Sequence, residues 1–557
     1  MSRERLILAA IVLAAILLRL PALLHQGLWR DEANVYAEVV APTFSEFMHR
    51  VTEVEWHPPL YFVVAYVWIK TAGATEFSLQ FLPYVCSIVT VPFVYRLGRI
   101  AGSTSTGLVA AAFYALSPSP ITLSTAYVYS MMGLVSMILA CLVASARKAP
   151  FTPFTFAAIT FAAICAVYTH YLALVYIPVL ALWALTSPRG IRRGLMISSA
   201  LVLGLLSFVF WLPVFLTQRH IGIPYAPPVS MSETVAFLIS AVEFVPVRPP
   251  GFAIFFFFFF AGATVVLARN RRLDTDAVGL GGVFLVMFLA VTAIGLRALY
   301  YVVAFYGLLC IFLAAVIVSL ARDVVAKIQP DRRHFAAGAI AVLAVISSIG
   351  DIAYAFGPNT NPLSGIRTFV AAQPLDSRTF YLIAPDYLTP TFAFYARDAR
   401  IGYGAFAQDD RPEIYRLGGQ VAAWNRPTAI NDSLRMLARK AQRYEFLDFV
   451  VDDESTDHAA IPYGKVWQLL HQIELRYPLV SKKSYAGRSE AVTVYRFVLR
   501  HSVSGEHRAT VTEPIVDRRT FGGVGNNTRC KADRRIVPAR VSLVAAAAAQ
   551  MQSGHSG

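Results

Sequence analysis

Eleven apolar stretches, near 6–24, 78–95, 104–122, 130–146, 151–168, 171–186, 195–217, 250–268, 277–295, 299–320 and 335–356, constrain this chain more than any other feature. Most approach the ~17–25 residues that carry a helix through ~30 Å of hydrocarbon, and shorter ones reach by extension or tilt. They predict an α-helical polytopic membrane protein. Composition agrees, since 56% of residues are apolar, only 15% are charged and the mean hydropathy is +0.55; soluble chains carry ~25% charge. A string of soluble domains is excluded.

The 49 Lys and Arg against 34 Asp and Glu leave a formal charge of +15, a balance that prompts a search for nucleic acid. Position gives the better reason. With the N-terminus inside, the inner loops hold 16 basic residues, from Arg3 and Arg5 through Arg96, Arg99, Arg147, Lys148, Arg189, Arg192 and Arg193 to Arg332 and Arg333, while the short outer loops hold six. Basic residues beside spans are retained on the cytoplasmic face, so the charge reports topology and no nucleic-acid partner is expected. The expectation is a multi-pass cell-membrane protein with a cytoplasmic N-terminus, its first span retained because no small-x-small cleavage site follows it. Arg19, near the outer end of that span, reads as snorkelling to headgroups, with contact to a lipid phosphate as the alternative. Of five cysteines, four lie in apolar runs, so neither a disulfide framework nor a thiolate site is implied.

That parity requires the apolar run 58–69 not to cross, and twelve residues are short for a span. Just before it, Phe44, Phe47, Met48 and Val51 recur at helical spacing, with Glu46, Arg50 and Glu53 elsewhere around the helix. Residues 25–77 are therefore read as an outer loop with two interfacial helices. After residue 356 the long apolar runs end. Strands are expected at 380–385, 446–451 and 491–499 and helices at 386–396, 431–443 and 463–476. The domains are then a transmembrane module (1–356), an extracytoplasmic soluble α/β domain (357–500) and a basic, mostly disordered tail (501–557).

Two short motifs carry chemistry. In Leu28-Trp29-Arg30-Asp31-Glu32-Ala33, two carboxylates follow the outer end of the first span, where a polar group can meet a lipid headgroup and an aqueous partner together. Neighbours on a helix diverge by about 100°, so Asp31 and Glu32 divide the work: one acts on the acceptor, the other orients the site or holds a cation. In Trp56-His57-Pro58-Pro59-Leu60-Tyr61, paired prolines start a helix and hold His57 at its end, where it could bind an anion or metal or shuttle a proton. Taken singly, the first reads as a hydrated acidic loop and the second as a turn.

The two motifs in this order, joined by an amphipathic helix, resemble the GT-C glycosyltransferases, in particular the protein-mannosyltransferase-like and aminoarabinose-transferase-like branch. The resemblance runs from the first span to the last, with its sharp motifs confined to residues 28–61. It implies a GT-C-like fold with the active site in the loop 25–77, a polyprenyl- or dolichyl-phosphate sugar donor, and inversion at the anomeric carbon. By position it implies Asp31 as base or acceptor-orienting residue, Glu32 as its catalytic neighbour, and His57 and Tyr61 as substrate contacts. Relatives often carry Lys where His57 stands. Arg297 is the expected phosphate contact, although relatives have Arg followed directly by Tyr and here Tyr300 comes later. His170, in the outer turn Tyr168–Tyr171, lines the cavity or serves the interface. Relatives also carry a Ser-Gln-Glu-Ala-Arg-like stretch where this chain reads Ser124-Thr125-Ala126-Tyr127-Val128-Tyr129; Tyr127 is a candidate for the sugar pocket, and sugar specificity stays open.

The lipid donor has independent support, because the chain contains no GxGxxG or P-loop to cradle a nucleotide diphosphate. The acceptor is a lipid, cell-envelope glycan or protein. Asp31 or Glu32 could hold a divalent metal ion, with no ligand set at metal-specific spacing. A lipid transporter or flippase, or a catalytically silent envelope-assembly protein, are the rival readings. Asp452-Asp453-Glu454 reads as a strand-end turn.

Overall fold

The computed structural model describes residues 2–53, 55–125, 127–221, 264–265, 273–294, 299–327, 362–406, 429–452, 464–487 and 490–499. The expected spans 250–268 (save Thr264 and Val265) and 335–356, together with Arg297, Asp453, Glu454 and the tail 501–557, lie outside the described residues. The helices are, in chain order, α1 (Arg3–His25), α2 (Arg30–Val39), α3 (Phe44–Glu53), α4 (Leu60–Ala72), α5 (Glu76–Ala101), α6 (Thr104–Leu116), α7 (Pro118–Thr122), α8 (Tyr127–Lys148), α9 (Pro153–Thr169), α10 (Ala173–Leu185), α11 (Ile191–Leu206), α12 (Leu212–Ile221), α13 (Thr275–Ala293), α14 (Leu299–Val303) and α15 (Tyr306–Lys327). Among the described residues five segments are long and apolar enough to cross a membrane: α1, α5, α8, α13 and Ile191–Phe210, in which α11 runs on into a 3-10 turn. Shorter apolar helices, α6, α9, α10 and α15 among them, pack between these.

The expected span 104–122 is broken at Ser117. That residue takes an extended conformation (φ −70°, ψ 137°), as the residue before Pro118 must. The break frees carbonyls at the end of α6, and Arg19 takes them: its guanidinium donates to Ala115 O (2.9 Å) and Tyr114 O (3.2 Å), and its Nε to Ser87 Oγ (2.9 Å). Arg19 is fully buried. It ties α1, α5 and α6 together instead of snorkelling. At Gly107 of α6 the backbones close further; an added Cβ would come within 2.5 Å of Tyr95 O, so only glycine allows α5 and α6 this approach.

The described basic loops share one end of the bundle. There Arg99 pairs with Glu4 (3.2 Å), Lys148 donates to Ile100 O (2.6 Å), Arg193 to Ala149 O (3.2 Å) and Arg322 to Ser103 Oγ (2.8 Å). A buried pair closes this end, with Arg147 donating to Asp276 Oδ1 at 2.7 Å and both side chains 2% exposed. At the opposite end lies the loop after α1. Here the structure adds a helix, since α2, α3 and α4 make three where two were expected. Helix α2 is short and polar on average, which hid it; it is fixed by Glu32 Oε2, which accepts from Trp29 N (3.2 Å), and by burial of Val35 and Val39. Helix α4, with 13 residues, is shorter than the helices long enough to span. Its start adjoins the aromatic groups around His57, while near its end Lys70 donates to Ala41 O (3.1 Å), in the same loop.

The C-terminal domain is a five-stranded sheet in the order β2-β1-β3-β5-β4. Its elements are α16 (Gly365–Ala372), β1 (Thr379–Ala384), α17 (Thr389–Tyr395), β2 (Gly402–Ala405), α18 (Ala429–Lys440), β3 (Phe446–Asp452), α19 (Gly464–Glu474), β4 (Leu479–Tyr485) and β5 (Val492–Val498). Strands β1, β2 and β3 are parallel, and β5 and β4 add antiparallel. Alternate residues bury both faces: Phe380, Leu382, Leu447 and Phe449 meet α18 and α19, while Tyr381, Ile383 and Val450 meet α16 and α17. Across β3 and β5, Arg496 clasps the buried Asp448 through two bonds of 2.6 Å.

This domain docks on the loop end of the bundle. Arg367 grips Glu76 through two bonds (2.8 and 3.0 Å) and donates to His25 O (2.9 Å), Tyr395 Oη accepts from Leu28 N (2.8 Å), and Leu363 N donates to Gln26 O (2.8 Å). An open cleft of about 640 Å³ lies beside the Arg367–Glu76 pair, away from Asp31.

Candidate active site

Helix α2 sets the site. Glu32 turns back to its own N-terminus as the cap, and Asp31, one residue earlier, leaves the helix on another side with its side chain 27% exposed. Burial pushes the Asp31 carboxyl up; Arg30 and His57 pull it down, Glu55 adds to the rise, and the net is upward.

Glu55 was not anticipated. Its Oε1 accepts from Trp56 N (2.8 Å) and from His57 Nδ1 (2.5 Å). Burial opposes its ionisation, but the His57 charge and the hydrogen bonds from His57 and Trp56 hold it below the ordinary carboxylate range. Its partner Glu38, 2% exposed, is driven the other way, first by burial and then by the Glu55 charge. Glu38 is thus pushed toward its protonated form and Glu55 toward the carboxylate. An ionised Glu55 fixes Nδ1 as the donor of His57 and leaves Nε2 as the ring's remaining polar atom. The only sequence hint of Glu55 was its place two residues before His57; for Glu38 there was none.

Four expected contact residues come together here. The His57 ring lies 5.6 Å from Tyr127, 5.9 Å from Tyr129 and 5.0 Å from His170, and Tyr61 lies 5.9 Å from Tyr127. Tyr301 closes the group, 5.3 Å from Tyr129. Edge-to-face rings at these separations pack favourably and fix one another's orientation. His170 Nδ1 accepts from Leu172 N (3.0 Å), which puts its proton on Nε2, a buried atom with no hydrogen-bond partner among the described residues. Burial, and then the His57 charge, hold His170 well below the ordinary histidine range, so it is a neutral donor. Among the described residues no group of three or more His, Cys, Asp or Glu is disposed to hold a metal ion.

No family model and no curated protein matches the sequence. Solved structures do match. ArnT from Cupriavidus metallidurans, an aminoarabinose transferase, superposes in its apo state with a TM-score of 0.55 at 14% identity, over 88% of this chain and 97% of that one. Its complex with undecaprenyl phosphate gives 0.54 at 14% identity, over 90% and 99%. The chain shares the fold of ArnT. Within that fold Asp31, Glu55, His57 and His170 gather beyond the end of α1, beneath the sheet domain, and the long apolar helices make it a membrane protein.

Proposed function

We propose that the protein is a membrane glycosyltransferase that takes a sugar from a polyprenyl-phosphate carrier and passes it to a lipid, cell-envelope glycan or protein acceptor on the outer face of the membrane. The observation that carries this reading is a half-buried carboxyl, Asp31, whose ionisation is coupled to a Glu55–His57 pair, at the end of the first span in a GT-C fold. A solved enzyme of the same fold binds undecaprenyl phosphate. A carrier of that kind leaves its tail in the bilayer and presents its phosphate at the height of α2.

In the step proposed, Asp31 accepts the proton of an acceptor hydroxyl or amine as that atom bonds to the anomeric carbon. The bond from that carbon to the phosphate oxygen breaks, inverting the configuration, and the carrier leaves as polyprenyl phosphate. His57 and the neutral Nε2–H of His170 meet the charge that grows on the departing phosphate, and Tyr61, Tyr127 and Tyr129 line the sugar. A positioned base typically contributes ~10²–10⁴-fold and electrostatic stabilisation often more. Glu32, engaged at its own helix end, keeps Asp31 in place.

The test is incubation of the purified full chain with a panel of labelled polyprenyl-phosphate sugars and membrane extract. Transfer of label that disappears in Asp31→Asn supports the reading. Carrier movement across vesicles without transfer overturns it in favour of a flippase.

A further inference from the structure

The helix bearing Asp31 and the sheet domain meet at one side chain that the transfer step leaves unused. The guanidinium carbon of Arg30 lies 5.0 Å from the centre of the Trp29 ring and 4.9 Å from that of Tyr387. Its Nε stands 3.6 Å from Asp31 Oδ1. The two rings and the neighbouring carboxylate are its surroundings. The Tyr387 hydroxyl in turn donates to Asp452 Oδ2 at 2.5 Å.

Tyr387 and Asp452 are distant in sequence and adjacent for a topological reason. Tyr387 follows the carboxyl end of β1, and Asp452 is the last residue of β3. In the order β2-β1-β3 the chain leaves β1 towards one edge and returns on the other side, so the carboxyl ends of β1 and β3 open a crevice between them. Sheets of this kind present functional side chains at such a switch point. Here the crevice meets Arg30, next in sequence to Asp31.

We propose that Arg30 is a positioning residue for Asp31, and that the sheet domain completes the active site by holding the Arg30 guanidinium through the Tyr387 ring and Asp452. The proposal rests on the reading of Asp31 as the base.

An unrestrained arginine at 3.6 Å would spend much of its time in water, and exposed pairs of that sort are worth little. Two aromatic rings fix the plane of the guanidinium and remove that freedom. The other charges facing this spot are known. Glu55 and His57 act on Asp31 from the segment before α4, with opposite signs, while Glu490 and Asp452 act on Arg30 from the sheet domain. Asp452 is 3% exposed and Glu490 4%, the latter accepting from Ser364 Oγ at 2.6 Å, so both are anchored. Arg30 is thus the clamped cation that offsets the repulsion of Glu55 at Asp31.

The experiment is isotope-edited infrared titration of the full chain in lipid nanodiscs, with carboxyl-labelled aspartate and the Asp31→Asn variant to identify the Asp31 band. Arg30→Gln is expected to move the titration of that band to higher pH, raising the ratio of protonated to ionised Asp31 at a given pH on the order of tenfold. Tyr387→Leu moves it the same way by less. Arg30→Lys, which keeps the charge and loses the planar stack, falls between native and Arg30→Gln. An unmoved band in Arg30→Gln, or a Tyr387→Leu titration that superposes on the native curve, overturns the proposal; if Arg30→Gln does not fold, Arg30→Lys and Tyr387→Leu decide. The readout needs no substrate, so its failure is separate from failure of the transfer assay.

Discussion

Glu38 and Glu55 are driven in opposite directions, Glu38 toward protonation and Glu55 toward ionisation, and the two variants that probe this should behave differently. Burial favours the neutral form of Glu38, and Glu38→Gln keeps that shape and neutrality; transfer should stay within a few-fold of native. Glu55→Gln removes the charge that orients His57, and the rate should fall by roughly 10²-fold, a loss of the order expected for a displaced catalytic group. Equal losses in both would contradict the assignment. The pH profile carries a second expectation. Burial raises Asp31, and a base is lost when protonated, so kcat/KM should climb with pH through a limb lying above the ordinary aspartate range. A limb at or below that range would place another group in the role. At this scale Asp31 and His57 were legible because each sits in a short motif at a defined distance from a span. Glu38 was not, since its significance comes from Glu55, which reaches it only through the packing of α2 against the segment before α4.

Elements were legible where burial writes a period. Strands β1, β3 and β5 are buried along most of their length and were expected within a residue or two. Strand β4, Leu479–Tyr485, lies at the sheet edge with most residues exposed, and its lysines and serines give no apolar alternation. Helix α2 escaped for a related reason: its ten residues owe their form to a cap and to contacts with the rest of the loop, with Arg50 donating to Ala37 O at 2.6 Å. At the end of the bundle that gathers the basic loops, the buried Arg147–Asp276 pair joins α8 to α13, and Trp183 O and Thr186 also receive Arg147. Asp276→Ala leaves that guanidinium buried without its counter-charge and should cost about 3–5 kcal/mol. A lowered unfolding midpoint in detergent checks this; an unchanged one would show that the carbonyls alone suffice.

In the whole molecule the helical bundle meets the sheet domain at the turn after α1, along α2 and at Glu76 of α5. Gly27, in that turn, is the tightest of these points. Its φ is +66°, and an added Cβ would stand 2.6 Å from both Arg367 Cδ and Tyr395 Oη. Gly27→Ala should therefore disturb the Arg367–Glu76 and Tyr395–Leu28 contacts together, and limited proteolysis should release the sheet domain faster than from the native protein. Unaltered cleavage would mean that the docking does not depend on this turn. The sequence showed both halves and the loop between them, yet gave no sign of how they touch, because Gly27, Glu76, Arg367 and Tyr395 are each ordinary until the fold assembles them. The account as a whole turns on Asp31 acting as a base toward a lipid-carried sugar. Single-turnover transfer from a labelled polyprenyl-phosphate sugar, native against Asp31→Asn, tests it most directly: a loss of ~10²–10⁴-fold with donor binding retained is predicted, and transfer at the native rate in the variant would contradict it.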